Sequence, residues 1–316
     1  MKTINKHITI HNCAKIFALS VGMFLLPSCI YDDLSNCPQG LNVRLFSKTA
    51  CAADSVFPQF SDLKLFVFDK NEKLVSFQDI DNEIDTRSFN QMLAVRDGVF
   101  SVVAWAGLGA QEFEILPLKT EIVTKSDLLF RLKHASQQAA AIDGKRVYFG
   151  ESSAAFLPDP ARYGSVYENV AVNMQEITNR FTIQIEGLPH DDDYEVKIES
   201  SNGAMSVGGE IAPDETVVYN SQPTFTGSVL EAQFTLLKLA FGTNTALIIR
   251  DKRLNKELYR GDLLGTLLLK NPNVNPACDH DFTIRLTTRD QCECGTYMIV
   301  EIWVNNWLVH SYDSDL

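Results

Sequence analysis

Along most of the chain, short runs of alternating apolar and polar residues are closed by turn residues. In LNVRLFS (41–47), Leu41, Val43 and Leu45 share one face and Asn42 and Arg44 the other, the period-two pattern of a half-buried strand. LKLFVFDKNEKLVSFQDI (63–80) reads as a hairpin with a polar turn from Asp69 to Lys73. GVFSVVAWAG (98–107) is apolar on both faces and bounded by glycines, which predicts a central strand of a packed sheet. SDLLFRL (126–132), KRVYFGES (145–152), VYENVAVNM (166–174), NRFTIQIEGLP (179–189) and DYEVKIES (193–200) continue the series. TALIIRDKRLNKELYRGDL (245–263) is a second strand-turn-strand unit that echoes 63–80, whereas LEAQFTLLKLAFG (230–242) fits strand or helix. TYMIVEIWVNNWLVHSYDSDL (296–316) predicts a tight hairpin at Asn305-Asn306. Its final strand either completes its own sheet or lies at an edge, where backbone groups can pair with another chain. No stretch holds a 3.6-residue period long enough for a helical bundle. The fold class expected is all-β.

The first 28 residues follow a different rule. Lys2, Lys6 and Lys15 precede IFALSVGMFLL (16–26), and no acidic residue occurs before Cys29, the shape of a secretory signal peptide. A membrane span needs about 20 apolar residues, and this run stops at Pro27 and soon meets Asp32 and Asp33. Leu26, Pro27, Ser28 and Cys29 resemble the lipobox of bacterial lipoproteins, which implies that Cys29 becomes the first mature residue and carries lipid. An ordinary signal peptide followed by a disulfide cysteine is the alternative. Each buried methylene of such a lipid contributes about 0.8 kcal/mol, so acyl chains hold a domain on a membrane without a crossing helix. Asp32 and Asp33 resemble the short acidic export tag of Bacteroidota lipoproteins shown on the outer face of the outer membrane. Ile30 stands where an inner-membrane retention signal would place aspartate.

FLPDPARYG (156–164), with two prolines and a glycine, reads as a loop or boundary. Cleavage before Cys29 leaves 288 of the 316 residues, enough for two domains each with a core. The expected organisation is a lipoprotein signal peptide over 1–28, an acidic tether over 29–36, an N-terminal β-sandwich over 37–165 and a C-terminal β-sandwich over 166–316.

The formal net charge is −12, or −15 once the three leader lysines are gone. With no Lys/Arg cluster to neutralise phosphates, nucleic acid is excluded as a partner. Beyond Cys13 and Cys29 the cysteines are Cys37, Cys51, Cys278, Cys292 and Cys294, an odd set in an exported protein. Cys37 and Cys51 flank one strand and are candidates for a small disulfide loop. Cys278, His280, Cys292 and Cys294 supply four zinc-ligand types, but their spacing departs from zinc knuckles. A disulfide from Cys278 to Cys292 or Cys294, or buried thiols, is preferred, and no metal is assigned.

Catalytic patterns are missing: there is no G-x-S-x-G, H-E-x-x-H, G-x-x-x-x-G-K or G-x-G-x-x-G. His134, His190, His280 and His310 read as surface or turn histidines. DDDY (191–194) reads as a solvated turn rather than a calcium site. Trp105, Trp303 and Trp307 read as aromatic core rather than a sugar-stacking platform. No enzyme activity and no cofactor are expected.

The lipobox, the acidic stub, NCPQGLNVRLFS (36–47), LKLFVFDKNEKLV (63–75), NRFTIQIEGLP (179–189) and VEIWVNNWLVHSYDSDL (300–316) together resemble the fimbrial anchor lipoproteins of Bacteroidales. This minor-subunit family tethers fimbrillin fibres to the outer membrane. The resemblance implies two transthyretin-like β-sandwich domains without catalysis, a fimbrillin shaft subunit as partner, attachment to the outer membrane through lipid on Cys29, and assembly by strand addition. Shaft subunits of such fibres are trimmed at a basic site after the first strand. Arg44 and Arg87 are the early arginines here, and neither sits in an evident cleavage loop, which fits an untrimmed end subunit. The competing reading is a surface lipoprotein that binds glycan or another extracellular ligand.

Overall fold

The computed structural model describes residues 33–116, 123–190, 193–290 and 297–312. The leader, Cys29, Asp32, Asp191, Asp192, Cys292 and Cys294 lie outside the described residues. The structure is all-β, with helix confined to short turns such as Pro160–Tyr163. The ambiguous stretch at 230–242 forms the strand Val229–Leu237, because Leu230, Ala232, Phe234 and Leu236 at period two all reach the core.

Two β-sandwiches repeat one plan. In the first, Gly40–Phe46 lies between Gln91–Ala94, antiparallel, and Tyr167–Asn173, parallel. Its facing sheet runs Tyr148–Glu151, Gly98–Ala106, Leu63–Asp69, Leu74–Ile80. In the second, Thr178–Glu186 lies between Val229–Leu237, antiparallel, and Asp281–Asp290, parallel. The facing sheet there runs Val217–Asn220, Tyr194–Ser200, Ala246–Asp251, Lys256–Asp262. The second sandwich extends its first sheet with Tyr297–Val304 and Trp307–Ser311. The halves are similar, but the hairpins that echo each other in sequence are not equivalent. One follows its half's opening strand with only the two-residue strand Gln59–Phe60 between, and the other comes after Val229–Leu237.

The doubly apolar pattern at 98–107 has a direct cause. Phe66, Phe68, Val103 and Trp105 face one hydrophobic core, whereas Leu65, Val67, Val102 and Ala104 face another. Leu63–Asp69 and Gly98–Ala106 are therefore a middle layer covered on both sides. The opening strand covers one side. The other is covered by Phe113–Leu116 and Leu129–Leu132, which pair with each other, and Leu129–Leu132 also pairs across the halves to Ala204–Ser206. The core containing Trp105 continues through Phe181, Ile198, Leu247 and Ile284, so the halves share apolar interior.

Two expectations are corrected. A division at 165/166 assigns Tyr167–Asn173 to the second half, yet that strand pairs along the whole of Gly40–Phe46. Gln175–Glu176 still pairs with Tyr148–Phe149, so the change of sandwich falls at Ile177-Thr178. The Pro- and Gly-rich stretch only reverses the chain within the first sandwich; turn chemistry marks a reversal, not a domain joint. The second correction concerns Cys37 and Cys51, which do not pair. A seven-residue strand between them spans about 20 Å, and a disulfide needs Cα atoms within about 7 Å. Cys37 is a buried free thiol. Cys51 is bonded to Cys278, with Cα atoms 6.1 Å apart, which also replaces the expected pairing of Cys278 with Cys292 or Cys294.

Candidate anchoring and assembly surfaces

The chain enters the first sandwich through residues 33–39. Gln39 is buried, and its Nε2 donates to the carbonyls of Pro158 (2.9 Å) and Gly164 (3.2 Å). Cys37 N donates to Leu34 O (2.9 Å), and an Arg96 guanidinium nitrogen donates to Ser35 O. Gly40 begins the opening strand opposite Leu93-Ala94, where a Cβ would stand 2.6 Å from Leu93 O, so only glycine allows this approach. These contacts fix residues 33–39 to one end of the sandwich. That end also carries Tyr167, the register partner of Gly40, and the loop 158–166.

The opposite end of the opening strand, Phe46 and Asn173, adjoins the second sandwich. Met174 N donates to Phe46 O (2.7 Å). Four ties cross the junction: the Cys51–Cys278 disulfide, Trp105 Nε1 to Val207 O at 2.8 Å, Arg131 Nε to Asp214 at 3.5 Å, and a charged cluster. In that cluster Arg180 bonds Asp281 through two nitrogens (2.6 and 2.9 Å) and also bonds Glu176. Arg146 approaches Glu176 at 3.5 Å. The Arg180 hydrogen bonds hold the Asp281 carboxyl below the usual carboxylate range, and those same bonds push the guanidinium up. The cleft beside the cluster, lined in part by Thr49, Lys238, His280 and Phe282, is about 160 Å³. That is below the roughly 300–1,000 Å³ of a small-molecule pocket.

The terminal hairpin lies in the second sandwich, its turn bonded to Thr283 at the start of Asp281–Asp290. Asn305 and Asn306 take φ of 46° and 64°, the positive pair that a tight hairpin turn requires. Trp307–Ser311 pairs with Tyr297–Val304 on one side and is the last strand of its sheet among the described residues. Trp307 is 44% exposed and Leu308 41%. Trp303, by contrast, lies under Arg285, 5.2 Å from ring centroid to guanidinium, and Trp105 is buried in the shared core. The aromatic-core expectation thus holds for Trp105 and not for Trp307.

The remaining chemistry disperses. Cys278 is consumed by its disulfide, and among the described residues no three His, Cys, Asp or Glu side chains are grouped to hold a metal ion. Asp193 pairs with Lys252 (3.0 Å). His190 stacks on Phe225 and His310 meets Tyr312 edge-on. No helix among the described residues is long and apolar enough to cross a membrane. The Cys51–Cys278 link, whose partners are 227 positions apart in the chain, and the Arg180–Asp281 pair, 101 apart, were invisible to spacing arguments.

The geometry defines a two-sandwich β protein whose first described segment is held at one end of the first sandwich and whose closing strand, in the second sandwich, is paired on one edge only among the described residues. Comparison with known proteins places it further. The model of the family described as fimbrillin-A associated anchor proteins Mfa1 and Mfa2 matches residues 34–313. The minor fimbrium anchoring subunit Mfa2 of Porphyromonas gingivalis is 33% identical over 310 residues, covering 95% of this chain and 94% of its own. The solved structure of the fimbrial anchor protein Mfa2 from that organism superimposes with a TM-score of 0.80 at 32% identity, over 87% of this chain and 100% of its own. A Bacteroides thetaiotaomicron protein described as polysaccharide-binding reaches 0.71 at 18% identity, over 87% of this chain and 99% of its own, and shares the fold. The chain belongs to the Mfa1/Mfa2 anchor family.

Proposed function

We propose that this protein is a lipid-tethered anchor subunit that attaches a fimbrial fibre to the outer membrane through Cys29 and ends its assembly by strand-addition contacts. The observation that carries the reading is the state of the opening strand. Gly40–Phe46 is paired on both edges and its Leu41, Val43 and Leu45 are buried, so the first sandwich holds its own strand and offers no groove for a neighbour's. Arg44 lies inside that paired strand, out of reach of a protease that needs an extended, accessible segment. In the second sandwich, Trp307–Ser311 leaves backbone groups and two apolar side chains for a fimbrillin shaft subunit. Membership of the anchor family and the likeness to Mfa2 support the same role. The activity proposed is assembly rather than catalysis.

The test is Cys29→Ser, followed by cell fractionation and electron microscopy of fibres. Loss of the protein from the outer-membrane fraction, with fibres shed into the medium or of uncontrolled length, is expected. A variant still lipid-labelled, still in the outer membrane and bearing normal attached fibres overturns the reading. Unaffected fibres with reduced capture of a surface ligand would favour the glycan-binding alternative.

A further inference from the structure

Three large aromatic side chains stand in solvent at the tether end of the first sandwich: Phe156 (63% exposed), Tyr163 (66%) and Tyr167 (43%). They belong to one surface. Phe156 pairs with Val99 beside the Arg96–Gly98 loop, whose Arg96 holds Ser35 O. Phe156 also shares an open concavity with Glu168 and Asn169, next to Tyr167. Tyr163 ends the short helix Pro160–Tyr163, in the loop whose Pro158 and Gly164 carbonyls hold Gln39. Arg162 is exposed beside it. Exposed aromatics grouped in this way mark a surface that another phase covers.

What covers them follows from the length of chain upstream. Asp33 is four residues from Cys29, and an extended chain reaches at most about 3.5 Å per residue, so about 14 Å separates them at the limit. If Cys29 carries lipid, the end of the sandwich bearing Phe156, Tyr163 and Tyr167 lies against the membrane surface. The opposite end is committed to the second sandwich by the disulfide and the Trp105–Val207 hydrogen bond. Tyrosine, with an apolar ring and a polar tip, is suited to the lipid-water interface. We infer that Phe156, Tyr163 and Tyr167 form a seat on the lipid surface into which Cys29 is anchored, turning a flexible tether into an oriented mount for the fibre. This rests on the lipid-anchor reading above.

Tyr312, 52% exposed and hydrogen-bonded to Val300 in the second sandwich, serves as an internal control. The lipidated protein, reconstituted without fimbrial subunits in phosphatidylethanolamine and phosphatidylglycerol vesicles, is treated with a tyrosine-nitrating reagent and each site is quantified by mass spectrometry. The same is done for the unlipidated Cys29→Ser chain in solution. Expected is a several-fold drop in modification of Tyr163 and Tyr167 on vesicles, with Tyr312 unchanged. A Phe156→Asp/Tyr163→Asp variant, altered only at exposed positions, should remain vesicle-bound through its lipid and lose the protection of Tyr167. Lipidated, vesicle-bound protein whose Tyr163 and Tyr167 react as fast as in the soluble chain overturns the seat and leaves the tether standing. Protein that carries no lipid and does not join vesicles removes both. Protection already present in the soluble chain and rising with its concentration assigns the patch to a second copy and overturns the lipid assignment.

Discussion

The first and last described strands are both rich in apolar residues and end in opposite states. Gly40–Phe46 has a partner on each side and buries Leu41, Val43 and Leu45 in the core of the first sandwich. Trp307–Ser311 has a partner on one side and leaves Trp307 and Leu308 in solvent. Alternation reports which face of a strand is apolar; it says nothing about how many edges are paired, because the second partner comes from elsewhere in the chain. For the opening strand that partner is Tyr167–Asn173. The closing strand has none among the described residues, and in an anchor subunit that vacancy is where a fibre would attach.

The disulfide ties these two regions together, and breaking it should have the largest effect. Cys51 follows the opening strand, and Cys278 precedes Asp281–Asp290, the sheet neighbour of the terminal hairpin. The bond closes a loop of 227 residues, for which unfolded-chain entropy gives about 5 kcal/mol. A Cys51→Ser/Cys278→Ser pair should lower stability by several kcal/mol, read from the denaturant midpoint. A midpoint equal to that of the oxidised wild type would mean that the junction stands on its hydrogen bonds and shared core alone.

Next come the two strands themselves. Leu45→Ala removes a side chain that is 2% exposed and should cost about 2–4 kcal/mol in chemical unfolding. Trp307→Ala with Leu308→Ser acts at an edge already half in solvent and should cost no more than about 1 kcal/mol. In a pull-down with purified fimbrillin shaft subunit, however, the edge variant should lose complex while Leu45→Ala, where folded, retains it. The reverse ranking would make the opening strand the docking element.

How much of this was legible beforehand depends on what each feature is made of. Strand positions, the Asn305-Asn306 turn and the all-β class are local, written in period and turn chemistry, and could be read directly. The doubly apolar text at 98–107 correctly announced a central strand, but not that a segment around Leu129–Leu132 would cross to pair with Ala204–Ser206 and make it a middle layer. The loop at 156–164 was legible as a turn and misleading as a boundary. Cys51–Cys278 was illegible in principle, because chain distance carries no signal of spatial distance. The seat of Phe156, Tyr163 and Tyr167 left no mark either, since exposure of an aromatic depends on neighbours that the local pattern does not name.

The smallest expected effect concerns the opening strand of the second sandwich, which is held in register with Asp281–Asp290 at its first residues by Arg180 and Asp281. Hydrogen bonds from Arg180 depress the Asp281 carboxyl, so its contribution is present above the unfolded-state value of about 3.9 and is lost as pH falls through the lower folded value. The side chain of Asp281 is 72% exposed, so solvent screens the pair and the contribution should stay under about 1 kcal/mol. Asp281→Asn should therefore be slightly less stable than wild type at pH 7, with the gap closing below about pH 4 as the wild-type carboxyl takes up its proton. Raising ionic strength at pH 7 should narrow the gap in the same way. A gap that persists unchanged at pH 2–3 and in high salt would show that the amide side chain disturbs the strand register itself rather than the charge that pins it.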